Sequence, residues 1–78
     1  MQNEIIELIK ENLVEILPDV EKNNISINDN FTELGANSVD RGELITITLE
    51  RLNLNIPRIQ FAGAQTIEDL ADLIIKNK

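Results

Sequence analysis

Gly35-Ala36-Asn37-Ser38-Val39-Asp40 reads as a tight turn that hands a serine to the start of a helix. Glycine permits the turn, and Asn and Ser are favoured at helix starts. From Ser38 a helical period runs to Leu52. Leu44, Ile45, Thr48, Leu49 and Leu52 make its inner face, while Asp40, Arg41, Glu43, Glu50 and Arg51 lie elsewhere on the cylinder. Two roles are open to Ser38 from these residues alone. It can satisfy the first free amides of the helix, as can Asn37. It can also carry a phosphodiester, because a helix N-terminus favours an anion through its free N–H groups and dipole. Both hold together if Asn37 is the cap.

Upstream, residues 3–17 carry a helical stripe of Ile5, Ile9, Leu13, Ile16 and Leu17, flanked by Ile6 and Leu8. Glu4, Glu7, Glu11 and Glu15 line the opposite face. Asn3 is the expected cap, and Pro18 stops the helix at Leu17. Residues 18–37 hold no sustained period and predict a long loop, pinned by Ile25, Ile27, Phe31 and Leu34, with a turn of helix at Thr32-Glu33-Leu34. Downstream, Asn53 to Ile56 leave the helix, and Pro57 opens a short helical turn at 58–62 that Gly63 ends. Thr66 caps a last helix to about residue 76, with Asp69 at the capping-box position and Ile67, Leu70, Ala71, Ile74 and Ile75 inward. The fold class is therefore all-α: three main helices plus one short helix in a small antiparallel bundle, with a long first loop.

The chain has 78 residues, which make a single domain over 1–78. A chain this short buries about 60 to 65% of its unfolded surface, enough for one modest core. Its 42% apolar residues suit that core but leave little room for a walled cleft. Fourteen acids against 7 bases give a formal charge of -7. That argues against nucleic acid and against an anionic membrane surface, and favours basic protein partners. No run approaches the ~18 apolar residues of a membrane span. Met1-Gln2-Asn3-Glu4 lacks the basic start of a signal peptide, so a cytoplasmic location is expected. Asn24-Ile25-Ser26 and Asn30-Phe31-Thr32 match the glycosylation sequon, and are read as chance matches.

Several chemistries are excluded by residue type. Histidine and cysteine are absent, so Ser38 has no base for nucleophilic catalysis and the chain offers no ordinary zinc site, thiolate or disulfide. No catalytic residue and no metal ligand is expected. Asn28-Asp29-Asn30 lacks the glycine and the twelfth-position Glu of a calcium loop, Val39 standing there instead. No Gly-rich phosphate loop exists.

Glu33-Leu34-Gly35-Ala36-Asn37-Ser38-Val39-Asp40 resembles the phosphopantetheine attachment signature of acyl carrier proteins, usually Leu-Gly, any residue, Asp-Ser-Leu. The resemblance covers nearly the whole chain: Pro18 at the end of the first helix, Phe31 and Leu34 in the loop, Leu54-Asn55-Ile56-Pro57, and Thr66-Ile67-Glu68-Asp69-Leu70 all fall where that family places them. It implies a four-helix carrier domain that is not itself an enzyme. Ser38 would receive 4′-phosphopantetheine from coenzyme A through a phosphopantetheinyl transferase that needs magnesium. The thiol of the arm would hold the acyl group, supplying the nucleophile that the protein lacks.

Three departures from the signature narrow the resemblance. Asn37 replaces Asp, Val39 replaces Leu, and Arg41-Gly42 put a positive charge and a helix-weakening glycine into the second helix. With Asn55-Ile56-Pro57-Arg58-Ile59 and Ala62-Gly63-Ala64, the segment is similar to the free-standing donor carriers of polyketide β-branching cassettes. In that subset an acyltransferase loads malonyl, a ketosynthase-like decarboxylase makes acetyl, and an HMG-synthase-like enzyme takes it. The resemblance assigns partner contacts to Asn37, Val39, Asp40, Arg41, Glu43, Arg58 and Ile59, and implies a monomer. Fatty-acid, peptidyl or D-alanyl carriage is the competing role within carriers, and an acidic helical interaction domain is the reading outside them.

Overall fold

The computed structural model describes residues 2–78. Three α-helices form: α1 (Gln2–Ile16), α2 (Ser38–Leu52) and α3 (Ile67–Asn77). Two short 3-10 helices, Lys22–Asn24 and Arg58–Phe61, lie in the connections. The all-α expectation holds, and the described residues contain no strand beyond one isolated bridge between Asn30 and Thr66.

The expected boundaries shift in small ways. α1 starts at Gln2, so Asn3 lies inside the first turn and is not its cap. Asn3 is exposed, and water can serve the free amides of an exposed first turn. At the other end Leu17 still donates to the Leu13 carbonyl at 2.7 Å, but its place before Pro18 pushes it out of helical geometry. The Lys22–Asn24 turn was not expected, because three polar residues carry no apolar period. The second 3-10 helix closes through Ala62 N–H to Ile59 O and Ala64 N–H to Phe61 O. Gly63 has no left-handed φ, so it ends that helix without a glycine-specific cap.

α1 packs against both other helices, whereas no Cα of α2 lies within 8 Å of a Cα of α3. The Arg58–Phe61 turn touches both and fills the gap between them. The core follows the apolar stripes: Ile9 and Leu13 from α1, Leu44 from α2, and Ile67, Leu70, Ala71 and Ile74 from α3 are fully buried. Phe31 from the long loop and Phe61 from the second 3-10 helix reach it, each with 2% exposed. The long loop is tied to the start of α3 at two of its pins. Phe31 N–H donates to Gln65 O at 2.8 Å, and the Ile27 carbonyl accepts from Glu68 N–H at 3.0 Å, satisfying one free amide of α3.

One polar element crosses the core. Asn12 and Thr48 are both fully buried, and Asn12 Nδ2 donates to Thr48 Oγ1 at 2.9 Å. Arg51 Nη1 donates to Asn12 Oδ1 and to Glu15 Oε2, the latter at 2.7 Å. This chain fixes α2 against α1 in one register, since a slip would strand buried polar groups.

Candidate functional site

The Gly35–Asp40 segment is built in three steps. Gly35 takes φ +100, a conformation that L side chains rarely adopt, and an added Cβ would meet nothing within 4 Å. The turn is therefore demanded by the backbone and not by crowding. Ala36 is buried with its N–H on the Phe31 carbonyl at 2.9 Å, which anchors the turn to the core. Asn37 then stands in extended geometry (ψ -175) as the cap of α2.

The capping box settles which residue caps α2. Asp40 N–H donates to Asn37 Oδ1 at 2.8 Å, and Asn37 N–H donates to Asp40 Oδ2 at 3.2 Å. Asn37 is the cap, and the half-buried Asp40 has its carboxylate engaged in the same box. Ser38 is exposed, and its hydroxyl has no hydrogen-bond partner among the described residues. The amides of Ser38 and Val39, in the first turn, have none either. This corner therefore offers an unencumbered hydroxyl beside two free N–H groups at the positive end of a helix.

Two open grooves meet at Ser38. One, of about 420 Å³, runs between α2 and the Arg58–Phe61 turn and is lined by Ser38, Arg41, Gly42, Ile45, Arg58, Ile59, Phe61, Ala62 and Ala64. The other, of about 500 Å³, is lined by Ser38, Val39, Gly42, Glu43, Thr46 and Arg58. Val39 and Ile59, 75% and 79% exposed, are the large apolar side chains that the described residues leave out of the core, and both belong to this face. Among the described residues Arg41 and Arg58 form no ion pair, whereas Arg51 is bound to Glu15. Two of three arginines thus stand unpaired beside Ser38 in a chain of net charge -7. Glu43 is exposed on the same face.

The structure thus brings every expected site residue to one end of the bundle, with the Asp40 carboxylate engaged in the capping box. The sequence reading missed Ile45, Phe61 and Ala64 as groove walls, and gave no account of Gly42. Gly42 is the buried glycine, and a Cβ there would come within 2.2 Å of Arg58 Nη2. A glycine inside a regular helix, about 1 kcal/mol worse than alanine, was the available signal. Among the described residues no group of acids could hold a metal ion, and no helix is long and apolar enough to cross a membrane.

Comparison with known proteins places this geometry. The family model described as "Phosphopantetheine attachment site" matches residues 5–74. The chain is 43% identical over 70 residues to the polyketide biosynthesis acyl-carrier-protein AcpK of Bacillus subtilis (strain 168), covering 90% of this chain and 85% of that protein. Its fold is similar to a chain in the crystal structure of the curacin biosynthetic pathway HMG synthase in complex with acetyl donor-ACP. The TM-score is 0.91 at 39% identity, with 99% of each chain covered. The family's 4′-phosphopantetheine suits this site, where a free hydroxyl, free amides and unpaired guanidinium groups can receive a phosphodiester. With its turn, its capped serine-led helix and its match across nearly the whole length, the chain belongs to the phosphopantetheine-bearing acyl carrier proteins.

Proposed function

We propose that Ser38 carries 4′-phosphopantetheine and that the chain, as a single domain, is the acetyl donor to an HMG-synthase-like enzyme in polyketide β-branching. The observation that carries the attachment is the division of labour in the capping box. Asn37 and Asp40 close the helix, and the exposed Ser38 hydroxyl is left without a structural task. The donor role is supported by likeness to a carrier seen with an HMG synthase and to a polyketide carrier.

In this reading the protein does no chemistry of its own. The bound arm supplies the thiol that holds the acyl group, and the protein presents it. The transferase supplies the magnesium and takes the Ser38 hydroxyl as its substrate. An acyltransferase loads malonyl, and a ketosynthase-like decarboxylase converts it to acetyl, in the cytoplasm. Val39 and Ile59 give partners two apolar contacts, while Glu43 and Arg41 set charge around them, with Asn37, Asp40 and Arg58 alongside. Exposed charge pairs are each worth about 0–1 kcal/mol, so docking is weak and exchange fast, as a shuttle requires. Arg41 disfavours enzymes built for a wholly acidic carrier.

The test is acetyl transfer. Acetyl-phosphopantetheine is loaded from acetyl-coenzyme A by a broad transferase, and the acetyl group is followed by intact mass onto an HMG synthase of the β-branching type. Transfer from this carrier but not from a fatty-acid carrier is expected. Equal transfer from both would remove the donor assignment and leave a general carrier.

A further inference from the structure

Gly42 lies inside α2, where glycine weakens the helix. The space that a side chain would fill there is taken by the Arg58 guanidinium. A Cβ at residue 42 would stand 2.2 Å from Arg58 Nη2 and 3.4 Å from its Cζ, whereas Gly35 and Gly63 meet nothing within 4 Å. Arg58 thus reaches from the second 3-10 helix onto bare α2 backbone and lies where the two grooves meet. It lines both, and so does Ser38. Its guanidinium has no hydrogen bond or ion pair among the described residues, so its N–H fork is left for an outside acceptor.

The geometry points to a seat: we infer that Gly42 is a positioning residue that holds the Arg58 guanidinium beside Ser38, where it binds the phosphodiester at the root of the arm. This rests on attachment at Ser38. A planar fork matches two phosphate oxygens, and a phosphodiester on Ser38 Oγ is the one anion that is always close by. Together with the free amides of Ser38 and Val39, Arg58 fixes where the arm leaves the surface. That explains a glycine at a helical position where alanine would hold the fold better.

The experiment compares apo and holo protein. Conversion is first verified by intact mass, and the Arg58 Nε–H signal is then followed by nitrogen NMR beside the phosphorus signal of the phosphodiester. The Arg58 signal is assigned by its loss in Arg58→Ala; the chain has only three arginines. In the wild type, loading shifts the Arg58 signal. Arg58→Ala moves the phosphorus signal, and Arg58→Lys, which keeps the charge but not the fork, restores it in part. Gly42→Ala raises Tm by about 4–8 °C through helix propensity. It nevertheless moves the phosphorus signal as Arg58→Ala does, and the double variant shows no further change. A purely structural glycine would change Tm and leave that signal alone, and this outcome overturns the seat. Loading without any shift at Arg58 overturns the phosphodiester contact while attachment stands. A shift that appears only on adding HMG synthase assigns Arg58 to the partner surface and overturns the contact equally. Failure to load overturns attachment and, with it, this inference.

Discussion

Replacing Asn37 and Ser38 by alanine, one at a time, separates the structural task from the functional one. Asn37→Ala removes the Oδ1 acceptor that takes the Asp40 amide at 2.8 Å. Loss of an N-cap costs about 1 kcal/mol, within a range of roughly 0.5–2. In a domain of this size that lowers Tm by about 4–8 °C. The other half of the box joins Asp40 to the residue 37 backbone N–H, which alanine retains, so the loss stays near the centre of the range. Ser38→Ala removes a hydroxyl with no partner among the described residues and installs the best helix former at the first helical position. Its Tm is therefore equal to or slightly above that of the wild type. Thermal melts followed by circular dichroism read the stability. Intact mass after incubation with coenzyme A and a transferase reads the loading. Asn37→Ala is expected to be less stable and still loaded, and Ser38→Ala as stable and never loaded. If Ser38→Ala falls as far in Tm as Asn37→Ala, the serine is the cap and the reasoning fails.

Other consequences are equally checkable. Gly35→Ala forces a Cβ into φ +100 with open space around it, so the cost is backbone strain alone, about 1–2 kcal/mol by chemical denaturation; no loss would mean that the turn relaxes. Asn12→Ala leaves the buried Thr48 hydroxyl without its donor and lowers stability by about 1–3 kcal/mol, with loading unchanged. Val39→Ser and Ile59→Ser leave Tm unchanged, because both side chains are already in water, but weaken binding to an HMG synthase about tenfold each, measured by calorimetry; unchanged binding would move the docking face elsewhere. The Lys22 ammonium, 2.9 Å from Glu7, holds that carboxyl below its usual range by hydrogen bonding and charge, and Glu7 in turn raises Lys22. The Glu7 contribution is present above the ordinary carboxylate value and disappears as pH falls through the lowered folded value. The Lys22 contribution is present below the ordinary lysine value and disappears as pH rises through the raised one. Lys22→Gln should therefore lose a small, salt-sensitive increment between those limits and match the wild type beyond them; an increment that persists at low pH would contradict the pairing.

How much of this was legible in the sequence depends on the kind of signal. Helices α1, α2 and α3 were readable because Ile5, Ile9 and Leu13, or Ile67, Leu70 and Ile74, repeat at the helical period and are in fact buried. Pro18, and the turn at Gly35 followed by Asn37 and Ser38, marked ends to within a residue. Ser38 was legible as a position, but its role was ambiguous, since Asn and Ser adjacent to one another are both good caps; three-dimensional distances separated them. Asn12 could not be found, because a single buried asparagine beside apolar neighbours has no period of its own and depends on Thr48, 36 residues away. The contact of Arg58 with Gly42 was hidden for the same reason. It joins a turn and a helix whose proximity follows only from how the 3-10 helix fills the space between α2 and α3.

Attachment at Ser38 is tested by the intact mass of the wild type and of Ser38→Ala after incubation with coenzyme A, magnesium and a broad phosphopantetheinyl transferase. One added phosphopantetheine is expected on the wild type and none on the variant, both remaining helical. An unmodified wild type beside an active control carrier, or a variant that still gains the group, would contradict attachment at Ser38.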